Sequence, residues 1–241
     1  MYCLRIACVL LAYCLQHVRD MCHAGVEQSL SATGRRITTL LSSIVPTPAE
    51  HARSTLAFTG IVVLAGFVAS PMLAVLHMYT AYLDFSRMYL LPGVQPDKLR
   101  RHVYLKHNLV GDRAMLAGVE ELGRSVMQVT TGDAACPIYR PSVLATHPGA
   151  KPGYPHHDLS TPDSFSILVA IGARELPFHG LAMPVRLAPG DVLVFDARLC
   201  HTPAGRSASA PDIAFALHMY AGHGVDVKHL DSTLHCAAEI G

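Results

Sequence analysis

His156-His157-Asp158 and, further along, His201 at the end of Gly190-Asp-Val-Leu-Val-Phe-Asp-Ala-Arg-Leu-Cys-His201 are the residues of this chain whose types and spacing could do chemistry. Two imidazoles and one carboxylate suit a non-haem Fe(II) centre, because three protein ligands on one face of the metal leave the other face open for oxygen and a co-substrate. Such a site is catalytic rather than structural. In an extended segment side chains two apart point the same way, so His156 and Asp158 share a side and His157 faces away. The competing reading is chance pairing in a chain where 15 of 241 residues are histidine, since short motifs also match by accident. His147, His157 and His223 are read as structural.

The elements that must position these residues are short and β-like. The stretch from Val143 to His156 runs from apolar residues through a Pro/Gly-rich turn into the His-x-Asp, and Val192 to Phe195 is an apolar run after the turn Pro189-Gly190-Asp191. His201 therefore sits just past a strand end. Further strands are expected at 141–146, 164–171, 185–187 and 213–220, with Pro/Gly turns between them, a pattern that fits a double-sheet jelly roll. Upstream, Met115, Leu116, Val119, Leu122 and Val126 recur at helical spacing, which predicts a helix over 113–127 that buttresses the sheet.

With these motifs in order, the region from Cys136 to Tyr220 resembles the 2-oxoglutarate- and Fe(II)-dependent dioxygenase superfamily. Pro148-Gly-Ala-Lys before the His-x-Asp, the run Ser166 to Phe178 after it, and Pro189-Gly-Asp-Val-Leu-Val-Phe before His201 are similar to the prolyl-hydroxylase-like and AlkB-like branches. The resemblance implies a mainly β fold with flanking helices, a double-stranded β-helix or jelly roll. It also implies that His156, Asp158 and His201 hold Fe(II), that 2-oxoglutarate is the co-substrate, and that the reaction hydroxylates a C–H bond. A protein side chain is the first choice of substrate. The alternatives are oxidative demethylation of nucleic acid in the AlkB manner, and a non-catalytic metal-binding module that has lost its co-substrate anchor.

That anchor is where the sequence departs from the family pattern. Relatives place a basic residue, usually Arg, roughly ten or more positions after the second histidine, where its fork pairs with the distal carboxylate of 2-oxoglutarate. Here Ser209 to Tyr220 contains no Arg or Lys. On the strand expected there, Ile213, Phe215, Leu217 and Met219 form one apolar face, whereas Asp212, Ala214, Ala216 and His218 form a small-residue face with room for a ligand. The candidates for the anchor are His218 on that face and Arg206 in the turn after His201.

Composition adds bounds. The formal net charge is +1 with 19 Lys and Arg, and Lys98-Leu-Arg-Arg101 is the one tight basic cluster, so nothing signals a nucleic-acid face. The seven cysteines contain no Cys-x-x-Cys, give no disulfide framework, and leave Cys200 a packing role. Residues 54–83 carry no Asp, Glu, Lys or Arg, and 56–76 is apolar on every helical face. That length predicts a membrane-anchor helix over 56–76, against a fully buried helix or two helices broken at Ser70-Pro71. Residues 1–16 resemble a short signal-peptide core, with Cys22-His-Ala24 where a small-residue cleavage site would fall. The layout expected is an N-terminal region over 1–90, a jelly-roll domain over 91–225 and a C-terminal tail over 226–241, at an endomembrane.

Overall fold

The computed structural model describes residues 48–81, 83, 98–105, 110–225 and 234–235. The signal-peptide-like stretch 1–16 and most of the tail lie outside them. Three helices, α1 (Pro48–Thr59), α2 (Ser70–Ala81) and α3 (Val110–Thr130), pack on one side of a six-stranded sheet. That sheet runs β1 (Ile61–Leu64), β8 (Val192–Asp196), β5 (Phe165–Ala170), β9 (Ala214–Ala221), β3 (Ile138–Thr146), β2 (Arg100–Tyr104), with every neighbouring pair antiparallel. A second, interrupted layer is made of β10 (Leu234–His235) on β4 (His156–His157) and of β6 (Arg174–Leu176) on β7 (Val185–Leu187). The isolated bridges His156↔His201 and Phe178↔His201 join its pieces. Two sheet layers with the site between them make the expected jelly roll.

The main sheet is apolar on both faces because it separates two cores. Side chains alternate along a strand, so Ile167, Val169, Val192, Val194, Leu217 and Met219 pack towards the helices, while Leu168, Ala170, Leu193, Phe195 and Ala216 pack between the sheets. Of the small-residue face expected at Asp212, Ala214, Ala216 and His218, the last three are buried in the interior, where Ala214 and His218 line a cavity, whereas Asp212 is exposed. The helix expected over 113–127 is α3, with Met115, Leu116, Val119 and Val126 buried against the sheet. Gly123 lets it approach closely: a Cβ there would stand 2.8 Å from Met219 Sδ.

The span expected over 56–76 is corrected. Among the described residues no helix is long and apolar enough to cross a membrane. The run instead folds as the end of α1, strand β1 and the start of α2. Gly60, at φ 72°, ends α1 with its N–H on the Leu56 carbonyl at 2.8 Å, the left-handed cap that glycine permits. Ile61 to Leu64 then pair with Phe195 to Val192, and Pro71 sits in the first turn of α2, where its missing N–H costs little. The segment is charge-free because Leu56, Val62, Val68, Met72, Val75 and Leu76 join the helix-side core. β1 is thus an edge strand of the main sheet.

Leu76 is 1 % exposed, so Leu76→Ala should destabilise the protein by about 2–5 kcal/mol, the usual range for a large-to-small change in a core. Denaturant titration checks this. An unchanged midpoint would mean that the segment is not core.

Candidate metal centre and its cavity

His156 and His201 face each other as an antiparallel bridge, each donating its backbone N–H to the other's carbonyl at 3.0 Å. This pairing brings two residues distant in sequence into one layer with both rings inward, their centroids 4.4 Å apart. Asp158 follows on the same segment, its N–H held by the Ala197 carbonyl at 2.9 Å. The ligating atoms of His156, Asp158 and His201 lie within 4.8 Å of one another, and all three residues are buried. His156 Nε2 is 3.6 Å and His201 Nε2 is 3.8 Å from Asp158 Oδ1.

The donor set fits a divalent transition metal. His156 Nδ1 lies 2.9 Å from the Tyr154 carbonyl and His201 Nδ1 lies 3.2 Å from the Leu199 carbonyl. A carbonyl can only accept, so each Nδ1 carries the proton and each Nε2 lone pair is directed at the common position. Arg100 steadies the loops on both sides, its Nη2 donating to the carbonyls of Lys151, before His156, and Ala204, after His201, at 3.2 and 2.5 Å.

The two anchor candidates stand in different places. Arg206 lines the cavity at its rim but is engaged by Asp212, through Nε on the Asp212 carbonyl at 2.9 Å and through Nη2 on its carboxylate. His218 lies beside the triad, with Nε2 3.5 Å from Asp158 Oδ2. Another arginine lining the cavity is one that sequence reasoning passed over. Arg174, on β6, donates through Nη2 to Thr146 Oγ1 at 3.4 Å, while its buried Nη1 has no partner. Burial pushes its pKa down to about 10, with the charges of Arg100 and Arg206 adding to the effect. A guanidinium held in this way calls for an anion. The one sequence cue was Arg174 itself, the lone basic residue of the run Ser166 to Phe178, where it is followed by Glu175.

The remaining residues show how the cavity is tuned. Burial pushes His201 down to about 4 and His102 down to about 3, from an ordinary 6.5. His156 moves the other way: burial opposes its cation, but the Asp158 carboxylate outweighs burial and raises it. Asp158 lies well below the usual carboxylate range, because His201, His156 and His218 overcome the cost of its burial. His223 is at the surface on Asp133, 2.7 Å away. Cys200, for which a packing role was expected, is disulfide-bonded.

A pH dependence follows from His102 and His201. Both are neutral when folded and take up protons near pH 6.5 when unfolded, so the unfolded state binds more protons as pH falls below that value. Their contribution should lower the stability of metal-free protein progressively from about pH 6.5 towards the folded values of about 4 and 3. Thermal melts of His102→Phe beside the unmodified chain check it: the variant should lose less stability between pH 7 and 5, and parallel curves would contradict it.

No family model and no curated protein matches the sequence. Solved structures do match. The chain is similar to the non-haem alpha-ketoglutarate-dependent epimerase SnoN from nogalamycin biosynthesis, at TM-score 0.58 and 15% identity over 72% of this chain and 82% of that one. It is similar to a 2OG-Fe(II) oxygenase family oxidoreductase from Burkholderia pseudomallei, at TM-score 0.56 and 18% identity over 73% and 90%. A prolyl-4-hydroxylase from Pseudomonas putida aligns at TM-score 0.53 and 16% identity over 73% and 98%. At these identities the likeness is one of fold, and this chain shares the fold of the 2-oxoglutarate/Fe(II) oxygenases and carries a His-Asp-His triad in it.

Proposed function

We propose that the protein is an Fe(II)- and 2-oxoglutarate-dependent oxygenase that hydroxylates a C–H bond of an organic substrate, with Arg174 and Thr146 taking the distal carboxylate of 2-oxoglutarate. One observation carries the reading: a converging His-Asp-His triad and a guanidinium with an unpartnered Nη1 line the same cavity. A dianion that chelates a metal at one end and presents a carboxylate at the other matches both. Arg174 is preferred to Arg206, which Asp212 already engages, and to His218, which lies against Asp158.

His156, Asp158 and His201 would hold the metal. When bound, Fe(II) supplies oxygen activation with 2-oxoglutarate as the reductant. The chain's own part is to bind and orient. Arg174 fixes the far end of the co-substrate, and Leu144, Leu168 and Phe195 line the cavity with apolar surface that keeps water out.

For the substrate, a protein side chain remains the first choice. Tyr154, Leu181 and Met183 are 52%, 50% and 65% exposed, apolar side chains available to a substrate larger than the cavity. A prolyl-4-hydroxylase is among the proteins of similar fold. Nucleic acid is disfavoured by the near-neutral charge, and Arg174 removes the main argument for a module without an anchor.

The test is succinate formation from 2-oxoglutarate by Fe(II)-loaded protein in air, with peptide pools screened for the mass gain of one oxygen atom. Succinate formation should depend on metal and vanish in Asp158→Ala. Equal, background-level succinate from both proteins would contradict an oxygenase. Catalysis without any peptide product, alongside oxidation of a small molecule, would move the substrate class.

A further inference from the structure

Asp158 Oδ1 faces the Nε2 atoms of His156 and His201 at 3.6 and 3.8 Å, and two side chains close on the other oxygen, Oδ2. Ser166 Oγ donates to Oδ2 at 2.5 Å, and His218 Nε2 lies 3.5 Å from the same oxygen. All three residues are buried, Ser166 at 0% and His218 at 6% exposure. The ring of His218 has one place for its proton. His218 Nδ1 is buried with no partner, and an N–H left there would go unsatisfied, so the proton belongs on Nε2, facing the carboxylate.

The orientation of His218 is itself built in. Its backbone carbonyl accepts the Ser142 hydroxyl at 3.1 Å, and Ser142 Oγ stands 2.6 Å from His102 Nε2. With the Ser142 proton given to that carbonyl, His102 Nε2–H donates to Ser142 Oγ. The His218 ring packs edge-on against Tyr220, centroids 4.7 Å apart, and lies 6.0 Å from His102. Strand β9 is thereby pinned where its imidazole reaches Asp158.

We infer that Ser166 and His218 are positioning residues that hold Asp158 Oδ2 off the metal, so that the carboxylate binds through Oδ1 alone and the coordination positions a chelating co-substrate needs stay open. The inference rests on the metal reading above and gives His218 a task different from co-substrate anchoring. A carboxylate free to rotate would bind through both oxygens and fill one of those positions, and ligand-orienting partners of this kind typically change metal affinity 10- to 100-fold.

Four proteins test it: unmodified chain, Ser166→Ala, His218→Leu and His218→Gln, the last keeping an N–H near the Nε2 position. Each is titrated with Co(II), whose visible absorption reports coordination number, and with Mn(II) by calorimetry; metal-free thermal midpoints measure folding separately. Ser166→Ala and His218→Leu should each bind metal about tenfold or more weakly and show an altered Co(II) spectrum, while His218→Gln stays close to the unmodified protein in both. If His218→Leu does not fold, Ser166→Ala, which removes a single oxygen, carries the same expectation. Unchanged affinity and spectrum in Ser166→Ala and His218→Leu would overturn the inference with the metal site intact. Loss in His218→Gln equal to that in His218→Leu would overturn the hydrogen-bonding role of His218. Absence of metal binding by the unmodified chain would overturn the metal reading, and the inference with it.

Discussion

Asp158→Ala should abolish stoichiometric binding of Fe(II) or Mn(II), the largest single effect expected in this protein. Asp158 is the only carboxylate of the triad, both histidine Nε2 atoms stand within 4 Å of its Oδ1, and two imidazoles alone make a weak, neutral site for a hard divalent ion. His156→Ala and His201→Ala should lose binding too, since each removes one of three ligands. Because the two histidines also share a backbone bridge, side-chain removal should leave the fold in place. Calorimetry on the metal-free proteins decides it; retention of one equivalent of metal by Asp158→Ala would remove the site.

Arg174→Ala should weaken 2-oxoglutarate binding to metal-loaded protein by about 30-fold or more, from the roughly 2–5 kcal/mol lost when one partner of a buried charge pair is deleted. Arg206→Ala, whose side chain is already held by Asp212, should cost less than about tenfold at saturating metal, within the range of a rim charge. Arg174→Lys should fall between, since an ammonium keeps the charge but not the two-pronged fork. The pH profile separates the anchors as well. With the Arg174 pKa at about 10, affinity should be flat through neutral pH and fall only as pH approaches that value and the cation is lost. An imidazole anchor would instead lose its charge as pH rises through about 6.5.

The parts of the site legible in the sequence were those fixed by local periodicity. A two-residue spacing on an extended segment places His156 and Asp158 on one side whatever the rest of the chain does, and the alternation over Ile213 to Tyr220 sets His218 on the interior face. Arg174 was not legible in this way. It meets Thr146 because β6 and β3 lie in opposite layers, a proximity that topology creates and spacing does not encode. An offset counted from His201 searched the wrong strand. Residues 56–76 failed for another reason. A run with no charges is equally demanded by lipid and by burial on both faces, and what separates the two is the punctuation at Gly60, Gly66 and Ser70-Pro71, two of them glycines at positive φ.

The central claim is that triad and guanidinium form one co-substrate site, and the measurement that bears on it most directly is calorimetry of 2-oxoglutarate binding to the unmodified protein with and without Mn(II), under anaerobic conditions. One equivalent should bind to the metal-loaded protein, and binding should be at least about tenfold weaker without metal, because chelation at one end and Arg174 at the other act on the same molecule. Metal-loaded protein that binds no 2-oxoglutarate, or that binds it equally with and without metal, would contradict it.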